Sequence, residues 1–372
     1  MSKITDYIKQ HNTWKEDFKN LGIKINEDEH FYIFNYDIDC DFSSPLVQEA
    51  RGIIIDKNTL EVACWPFNKF FNYHENYAAD IDWSTARVQQ KLDGSIIKLW
   101  FNKYTNSWQW STNGMINAKN ALTDKSPKYH NFMELILSCD NYIDIPWPAL
   151  EKDKTYIFEL VGPDNKIVID YTVNHLYHIG TRSNITGKEY DTYLGAAIHG
   201  GFIDHPKEYS LNSLQDCLIT IKYLNNEALT DEGFVVVDAK RQRIKIKTSE
   251  YLFYHHFCNN NLTKKMVIKL LQTDDISIDN IIKQYPIFKD MINHYQSEIE
   301  RVEFEAAIAI SKARRIYRKY NYDRKATAIE IKKMKSPYEA LMFNALGNRK
   351  RTKTLISYLF TSAYLALIKD WE

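Results

Sequence analysis

The sequence predicts an α+β fold, a β-rich N-terminal part followed by an all-α C-terminal part. Three observations carry this expectation. Short β-type runs recur from Phe31 to Lys247. Beyond about Tyr254 they stop, and the chain reads as helix after helix, with no proline between Pro286 and Pro337 and almost no glycine. At 372 residues, 44% hydrophobic and 26% charged, the composition is that of a globular protein with one large or two ordinary domains. The composition shift places the boundary between residues 1–254 and 255–372.

In chain order, residues 1 to 20 predict one amphipathic helix with Ile4, Tyr7, Ile8, Trp14 and Phe18 on its core face. Strands are expected at Phe31–Tyr36, Arg51–Asp56 and Glu61–Pro66. Arg51 opens an apolar strand, and Lys69 is bracketed by aromatics in Phe67-Asn68-Lys69-Phe70-Phe71. A cation in so apolar a run snorkels to the surface or faces a ligand anion. Two β-type runs flank Lys91-Leu92-Asp93-Gly94-Ser95, which predicts a hairpin turning at Asp93-Gly94. Ser107–Ser111 is a further strand, Ala118–Ser138 is helical, and Pro146-Trp147-Pro148 is a loop. Thr155–Val161 buries Glu159 among apolar neighbours, where it needs a partner, a metal or a ligand hydroxyl. Strands are also expected at Lys166–Ile169 and His175–Thr181, and helices at Tyr190–Gly201 and Leu211–Leu224. Asp231 and Glu232 begin the apolar run Gly233–Val237. Arg243–Lys247 alternates cation and isoleucine, so Lys245 and Lys247 share one strand face. The C-terminal helices are expected at Leu262–Leu271, Ile276–Ile282 and from Ile287 onward.

Composition also excludes classes. The apolar run Leu355–Ile368 is too short to span a bilayer, and the N-terminus lacks a signal-peptide core, so no membrane is expected. Five scattered cysteines offer no disulfide framework, and His255-His256-x-Cys258 is a weak metal pattern, which leaves a reducing cytoplasm. The formal net charge is zero, but Lys312–Lys353 holds 14 Lys/Arg against 3 Asp/Glu, a local excess of +11. Such density is a nucleic-acid footprint or a solvated helical face. Within it Lys312, Arg315 and Lys319 fall on one helix face.

The singled-out groups are cations (Arg51, Lys69, Lys91, Lys245, Lys247) and acids (Asp93, Glu159, Glu232), all at strand ends or on strand faces. Several cations around one site suit a triphosphate. Their crowding would lower the amine pKa of Lys91 and free it to attack an α-phosphate, with pyrophosphate leaving in line.

Lys91-Leu92-Asp93-Gly94 resembles the nucleotidyl-lysine motif of the covalent nucleotidyltransferases, followed in order by Phe158-Glu159-Leu160, Glu232-Gly233 and Lys245-Ile246-Lys247. Within that superfamily the chain is similar to the phage RNA ligase 1 family of ATP-dependent tRNA-repair ligases. Tyr32–Tyr36, Glu49-Ala50-Arg51-Gly52, Lys69–Asn72 and Gly162–Val168 carry the likeness. The resemblance implies an N-terminal nucleotidyltransferase domain, ATP-grasp-like with antiparallel sheets, ahead of the all-α domain. It implies Lys91 as the adenylated nucleophile. Tyr36, Arg51, Lys69, Phe70, Asp93 and Gly94 would contact ATP, and Lys245 and Lys247 would sit on its phosphates. Glu159 and Glu232 would serve the ribose and the waters of Mg²⁺ or Mn²⁺, with Asp274 as a metal ligand. Tyr251 matches a tyrosine of the family. Asn113 stands where a family lysine is expected, with Lys119 as the stand-in. The implied reaction joins RNA 5′-phosphate and 3′-hydroxyl ends through lysyl-AMP and RNA-adenylate. The implied substrate is tRNA cut in the anticodon loop, docked on the helical domain by Lys312, Arg315 and Lys319. An end-healing polynucleotide kinase-phosphatase would be a partner, the enzyme a monomer in the host cytoplasm of a phage. The alternatives are a ligase acting broadly on single-stranded RNA or DNA, a capping guanylyltransferase, disfavoured for want of a β-barrel after the last lysine motif, and a non-catalytic RNA-binding protein.

Overall fold

Strand and helix placement follow largely from where apolar side chains alternate, and they depart from it where distant hydrogen bonds intervene. The computed structural model describes residues 2–37, 40–123, 126–190, 203–224, 230–248, 251–252, 255, 264–271, 278, 282, 286–346 and 365–371. The chain divides into two compact units, Met1–His255 and His256–Glu372.

The first unit opens with two helices, α1 (Lys3–Gln10) and α2 (Trp14–Asn20), not one. His11 leaves the helical region (φ −129°, ψ 113°) while its N–H still bonds the Tyr7 carbonyl, so the break costs no hydrogen bond there. A first sheet follows with order β1 (Ile23–Glu27), β2 (Phe31–Tyr36), β3 (Arg51–Asp56) and β4 (Val62–Cys64), all antiparallel. Strand β1 is an addition to the expected series. Helix α3 (Pro45–Glu49) leads into β3, and the buried Glu49 carboxylate accepts the Ile4 N–H at 2.7 Å and the Ser2 hydroxyl at 2.9 Å.

Strands β5 (Phe71–Asn72) and β6 (Arg87–Gln90) belong elsewhere; β7 (Ser95–Asn102), β8 (Ser107–Thr112), β9 (Lys154–Val161), β10 (His175–Ser183) and β11 (Glu189–Tyr190) form a second antiparallel sheet, in the order β11-β10-β9-β7-β8. Strands β12 (Glu208–Tyr209), β13 (Gly233–Val237) and β14 (Arg243–Lys247) join β5 and β6 in a third, in the order β12-β6-β13-β14-β5. Antiparallel pairing was expected throughout; β14 with β5 is a parallel pair.

The expected hairpin at Asp93-Gly94 is absent. Strands β6 and β7 lie in different sheets, and Lys91–Gly94 is the crossover between them. The reason is tertiary. The Lys91 N–H bonds the Gly233 carbonyl in the third sheet, while Ser95 pairs with Leu160 in the second. The true hairpin joins β7 to β8. Lys166–Ile169 is likewise not a strand, because the Val168 and Ile169 N–H groups turn inward to the Asp93 carboxylate. The expected helix over 118–138 reduces to a 3₁₀ turn at Ala118–Asn120 and α4 (Phe132–Leu137), and the one over 211–224 to α5 (Leu214–Ile221). Of the helix expected at Tyr190–Gly201, Tyr190 instead ends β11, and 191–201 lie outside the described residues.

Apolar faces hold these layers together. Ile4 and Phe18 pack on Phe34 and Ile53 beneath the first sheet. Phe31, Ile54 and Trp100 close the first sheet onto the second. Leu135 and Ile136 of α4 cover its other face at Trp110 and Phe158. Cys217 of α5 packs against Phe234 and Ile246 of the third sheet. Each fully buried large side chain contributes about 1.5–3 kcal/mol, so these interfaces outweigh any single polar contact.

In the second unit the described elements are α6 (Lys264–Leu271), a 3₁₀ turn at Pro286–Phe288, α7 (Lys289–Lys319), α8 (Arg324–Lys333) and α9 (Glu339–Asn344). Helix α7 buries Ile292, Val302, Ala306, Ile310 and Ala313, one stripe at helical spacing. Arg301 bridges Glu298 at 2.8 Å and Glu305 at 2.9 Å, and the Tyr338 hydroxyl donates to Glu305. Asp274, His256 and Cys258 lie outside the described residues, as does most of Ile276–Ile282. Among the described residues no helix is long and apolar enough to cross a membrane.

Candidate active site

The site begins at the junction of β6 and β13. These strands pair antiparallel with Gln90 opposite Phe234, and the Lys91 N–H extends the ladder by one bond to the Gly233 carbonyl (2.8 Å). Lys91 is thereby set beside Glu232. On the other side β13 pairs with β14, Gly233 opposite Lys247. Gly233 sits at φ +139°, and a Cβ there would lie 2.1 Å from the Ile246 carbonyl oxygen, so only glycine allows this approach. The result is one buried carboxylate between two ammonium groups. Lys91 Nζ donates to Glu232 Oε2 at 2.6 Å, and Lys247 Nζ lies 2.8 Å from Oε1.

Above this pair opens a cavity of about 560 Å³ whose walls include Arg51, Phe70, Lys91, Gly94, Asn113, Glu159, Lys245 and Lys247. Arg51 comes from the start of β3, Glu159 from β9, and Lys245 and Lys247 from the half-exposed face of β14, with Ile244 and Ile246 buried opposite as the alternation predicts. The Phe70 ring carries two cations, the Arg51 guanidinium at 5.1 Å and the Lys245 ammonium at 5.2 Å. Gly94 brings the crossover hard against β9; a Cβ there would lie 2.3 Å from the Leu160 carbonyl oxygen.

The expected crowding of cations is present around Lys245. The immediate neighbour of Lys91 is the Glu232 carboxylate. The Lys245 amine is depressed: burial first, then Arg51, Lys91, Lys69 and Lys247, lower it from 10.5 to about 7. Glu159 moves the other way. Burial, with Glu232 and Asp93 adding and Lys91 and Arg51 opposing, raises it from 4.5 to about 7. A lysine and a glutamate that both titrate near neutrality in one cavity mark a functional site.

Lys245 has a consequence for pH. Its folded-state pKa lies below its unfolded one, so the unfolded chain binds the extra proton between about pH 7 and 10.5, and this group's charging penalty is relieved as pH rises through that window. A polyanion in the cavity restores the charge. Binding of ATP at pH 8 is therefore expected to take up a proton, measured by calorimetry in two buffers of different ionisation enthalpy. The uptake should shrink in Lys245→Met, and equal uptake in both proteins would show that another group carries it.

Asp93, expected as an ATP contact, is placed otherwise. It is 1% exposed. Its Oδ2 accepts the Val168 and Ile169 N–H groups (2.8 and 2.7 Å), and its Oδ1 accepts the Tyr251 hydroxyl at 2.7 Å. Its own N–H donates to the Tyr171 hydroxyl. Asp93 thus pins the crossover that presents Lys91, and Tyr251 serves it there, with its phenol pKa raised by burial and the neighbouring carboxylates. Tyr36 and Lys69 are not among the cavity walls. The Lys69 ammonium sits among the rings of Phe42 (4.1 Å), Tyr36 (5.1 Å) and Phe71 (5.2 Å), beside a smaller cleft of about 210 Å³ that shares Phe70 and Arg243 with the main cavity. Lys119 is exposed and away from the walls. Lys312, Arg315 and Lys319 are exposed on α7, in the second unit.

Among the described residues no cluster of three His, Cys, Asp or Glu side chains could hold a metal. Both oxygens of Glu232 are engaged by lysines, which leaves Glu159 as the wall carboxylate whose oxygens suit a hard cation. Lys98, Tyr171 and Arg243 were missed from the sequence. Arg243 lines the cavity, pairs with Glu189 at 2.5 Å and stacks over Phe67 at 4.1 Å; its place in the cation–isoleucine alternation was the available signal.

A family model described as RNA ligase matches residues 49–261. A protein of Autographa californica nuclear polyhedrosis virus, named as a bifunctional polynucleotide kinase/RNA ligase, is 28% identical over 301 residues, which cover 74% of this chain and 40% of that protein. The chain thus spans well under half the length of that relative. The RNA ligase of Rhodothermus phage RM378 is 23% identical over 371 residues, covering 80% of this chain and 82% of its own. Among solved structures, an archaeal ATP-dependent RNA ligase superposes on 75% of this chain and 76% of its own with a TM-score of 0.48 at 13% identity. The matched span runs from Glu49 at the end of α3 past Tyr251 and takes in the whole cavity wall, so the chain belongs to the RNA ligase family.

Proposed function

We propose that the protein is an ATP-dependent RNA ligase that works through AMP joined to Lys91. The observation that carries this reading is the Lys91 amine on the wall of a cavity lined by Arg51, Lys245 and Lys247, cations suited to a triphosphate. In the first step a bond forms between Lys91 Nζ and the α-phosphorus, and the bond from that phosphorus to the bridging oxygen breaks, releasing pyrophosphate. Glu232, at 2.6 Å, is placed to take the proton that Lys91 must lose. Arg51, Lys245 and Lys247 meet the charge that grows on the phosphate oxygens. Glu159 is the residue that would hold a Mg²⁺ or Mn²⁺ ion, whose chemistry there is to neutralise phosphate charge. AMP then passes to an RNA 5′-phosphate, and a 3′-hydroxyl displaces it to seal the strand. The test is incubation with α-labelled ATP and a divalent metal, then a denaturing gel. An acid-labile labelled band that a 5′-phosphorylated RNA chases off supports the ligase. No label from any nucleotide favours a non-catalytic binder, and label from GTP alone favours capping.

The finer proposal is that the substrate is tRNA broken in the anticodon loop, docked by Lys312, Arg315 and Lys319. These three side chains are exposed on α7 at i, i+3 and i+7 and so share a face. Their replacement by alanine is expected to weaken sealing of nicked tRNA several-fold while leaving self-adenylation unchanged. The salt dependence should also become shallower, by about 0.7 in log–log slope for each single-strand phosphate that is no longer neutralised. Equal sealing by both proteins would remove the docking role. We further propose that a separate kinase-phosphatase prepares the RNA ends; the viral relative named for both activities is the motive.

A further inference from the structure

Lys98 lies on β7 at the middle of the second sheet, opposite Ser111 of β8 and Ile157 of β9. Trp100, two residues on and on the same face, is fully buried edge-on to Phe31 of the first sheet, with ring centroids 5.0 Å apart. An aliphatic side chain would satisfy such an interface. Lys98 is instead 0% exposed, and its ammonium donates to the carbonyls of Gly52 at 3.0 Å and Thr112 at 2.6 Å. Its amine is lowered to about 8, chiefly by burial, with Arg51 pushing the same way and the Cys64 thiol the other. A lysine so placed is a standing cost to the fold.

The two carbonyls show what the cost obtains. Gly52 follows Arg51, and Thr112 precedes Asn113; both Arg51 and Asn113 are walls of the nucleotide cavity. Gly52 sits at φ +85°, and a Cβ there would lie 2.4 Å from Lys98 Nζ and 2.8 Å from Asn113 Cα. Glycine is what lets the three segments meet. Lys98 itself is not a wall residue, so it acts on a ligand through its neighbours.

We propose that Lys98 is a positioning residue of the nucleotide site, its ammonium tying the strand end that carries Arg51 to the strand end that carries Asn113 and fixing both on the cavity wall. The nature of the ligand rests on the ligase reading above; the tie between the strands does not. The experiment compares wild type, Lys98→Met, Arg51→Met and the double variant. Lys98→Met is expected to take label from α-labelled ATP at least tenfold more slowly while melting no lower than wild type, since a buried charge has been removed. In the Arg51→Met background the same change is expected to cost less than twofold, because both act along one path. Labelling of Lys98→Met within twofold of wild type, or a double variant that shows the full product of the single losses, overturns the proposal. Lys98→Gln, which keeps a donor without the charge, serves if Lys98→Met does not fold and is held to the same limits. Crystal structures of wild type and Lys98→Met separate this proposal from the ligase reading. Parting of the Gly52 and Thr112 carbonyls, with Arg51 leaving the Phe70 ring, supports it; unaltered placement overturns it, whether or not wild type takes label.

Discussion

Lys91→Ala is expected to abolish transfer of label from α-labelled ATP to the protein, with no residual band at long exposure. The other ammonium groups described at the site cannot substitute. Lys245 and Lys247 both lie on β14, two strands from β6 in the third sheet, and Lys245 is set over Phe70. The fold should tolerate the change, because Glu232 keeps Lys247 as its partner and the crossover stays pinned through Asp93 and the Lys91 backbone N–H. A melting temperature within a few degrees of wild type, together with no label, is the expected pair of results. Label retained on Lys91→Ala would move the covalent chemistry to another residue and end the proposed mechanism.

Glu232→Ala is expected to cost both activity and stability. The carboxylate is 2% exposed and holds two ammonium groups that are each about a fifth exposed. Its removal leaves those charges facing each other with Arg51 and Lys245 nearby. Breaking a buried ion pair from one side costs about 3–5 kcal/mol, and the partial exposure of the lysines argues for the low end, about 3 kcal/mol, because they can turn toward water. Glu232→Gln keeps an acceptor for one lysine and should lose less stability. It should still lose self-adenylation by two or more orders of magnitude, since an amide neither takes the proton nor holds both amines. Urea unfolding curves beside labelling rates check both claims. Unchanged stability in Glu232→Ala would show that solvent already screens the two lysines.

The parts of the fold set by local patterns were legible in the sequence. Arg243–Lys247 alternates with period two, so the face shared by Lys245 and Lys247 followed from strand geometry alone. Glu159 stood out as an acid inside an apolar strand, and Lys69 as a cation among aromatics. The failures were at long range. Asp93-Gly94 has every local mark of a hairpin, yet Asp93 bonds groups 75, 76 and 158 residues away, and those bonds turn a hairpin into a crossover. Lys98 was not singled out in the sequence, and its burial comes from the first sheet, which covers that face of β7 through Phe31 on Trp100. The sequence likewise gathers the cations without saying which of them meet Glu232.

The carboxylate shared by Lys91 and Lys247 bears on turnover as well as on geometry. Before reaction the trio sums to one positive charge. On the proposed chemistry, capping of Lys91 by AMP replaces an ammonium with a neutral phosphoramidate N–H, and Glu232, once it has released the proton it took, cancels Lys247 alone. With that proton gone the trio is electrically neutral, and it stays so until the adenylate is handed on. Discharge of the by-product is thereby favoured, and a second nucleotide meets a weaker attraction while the enzyme is loaded.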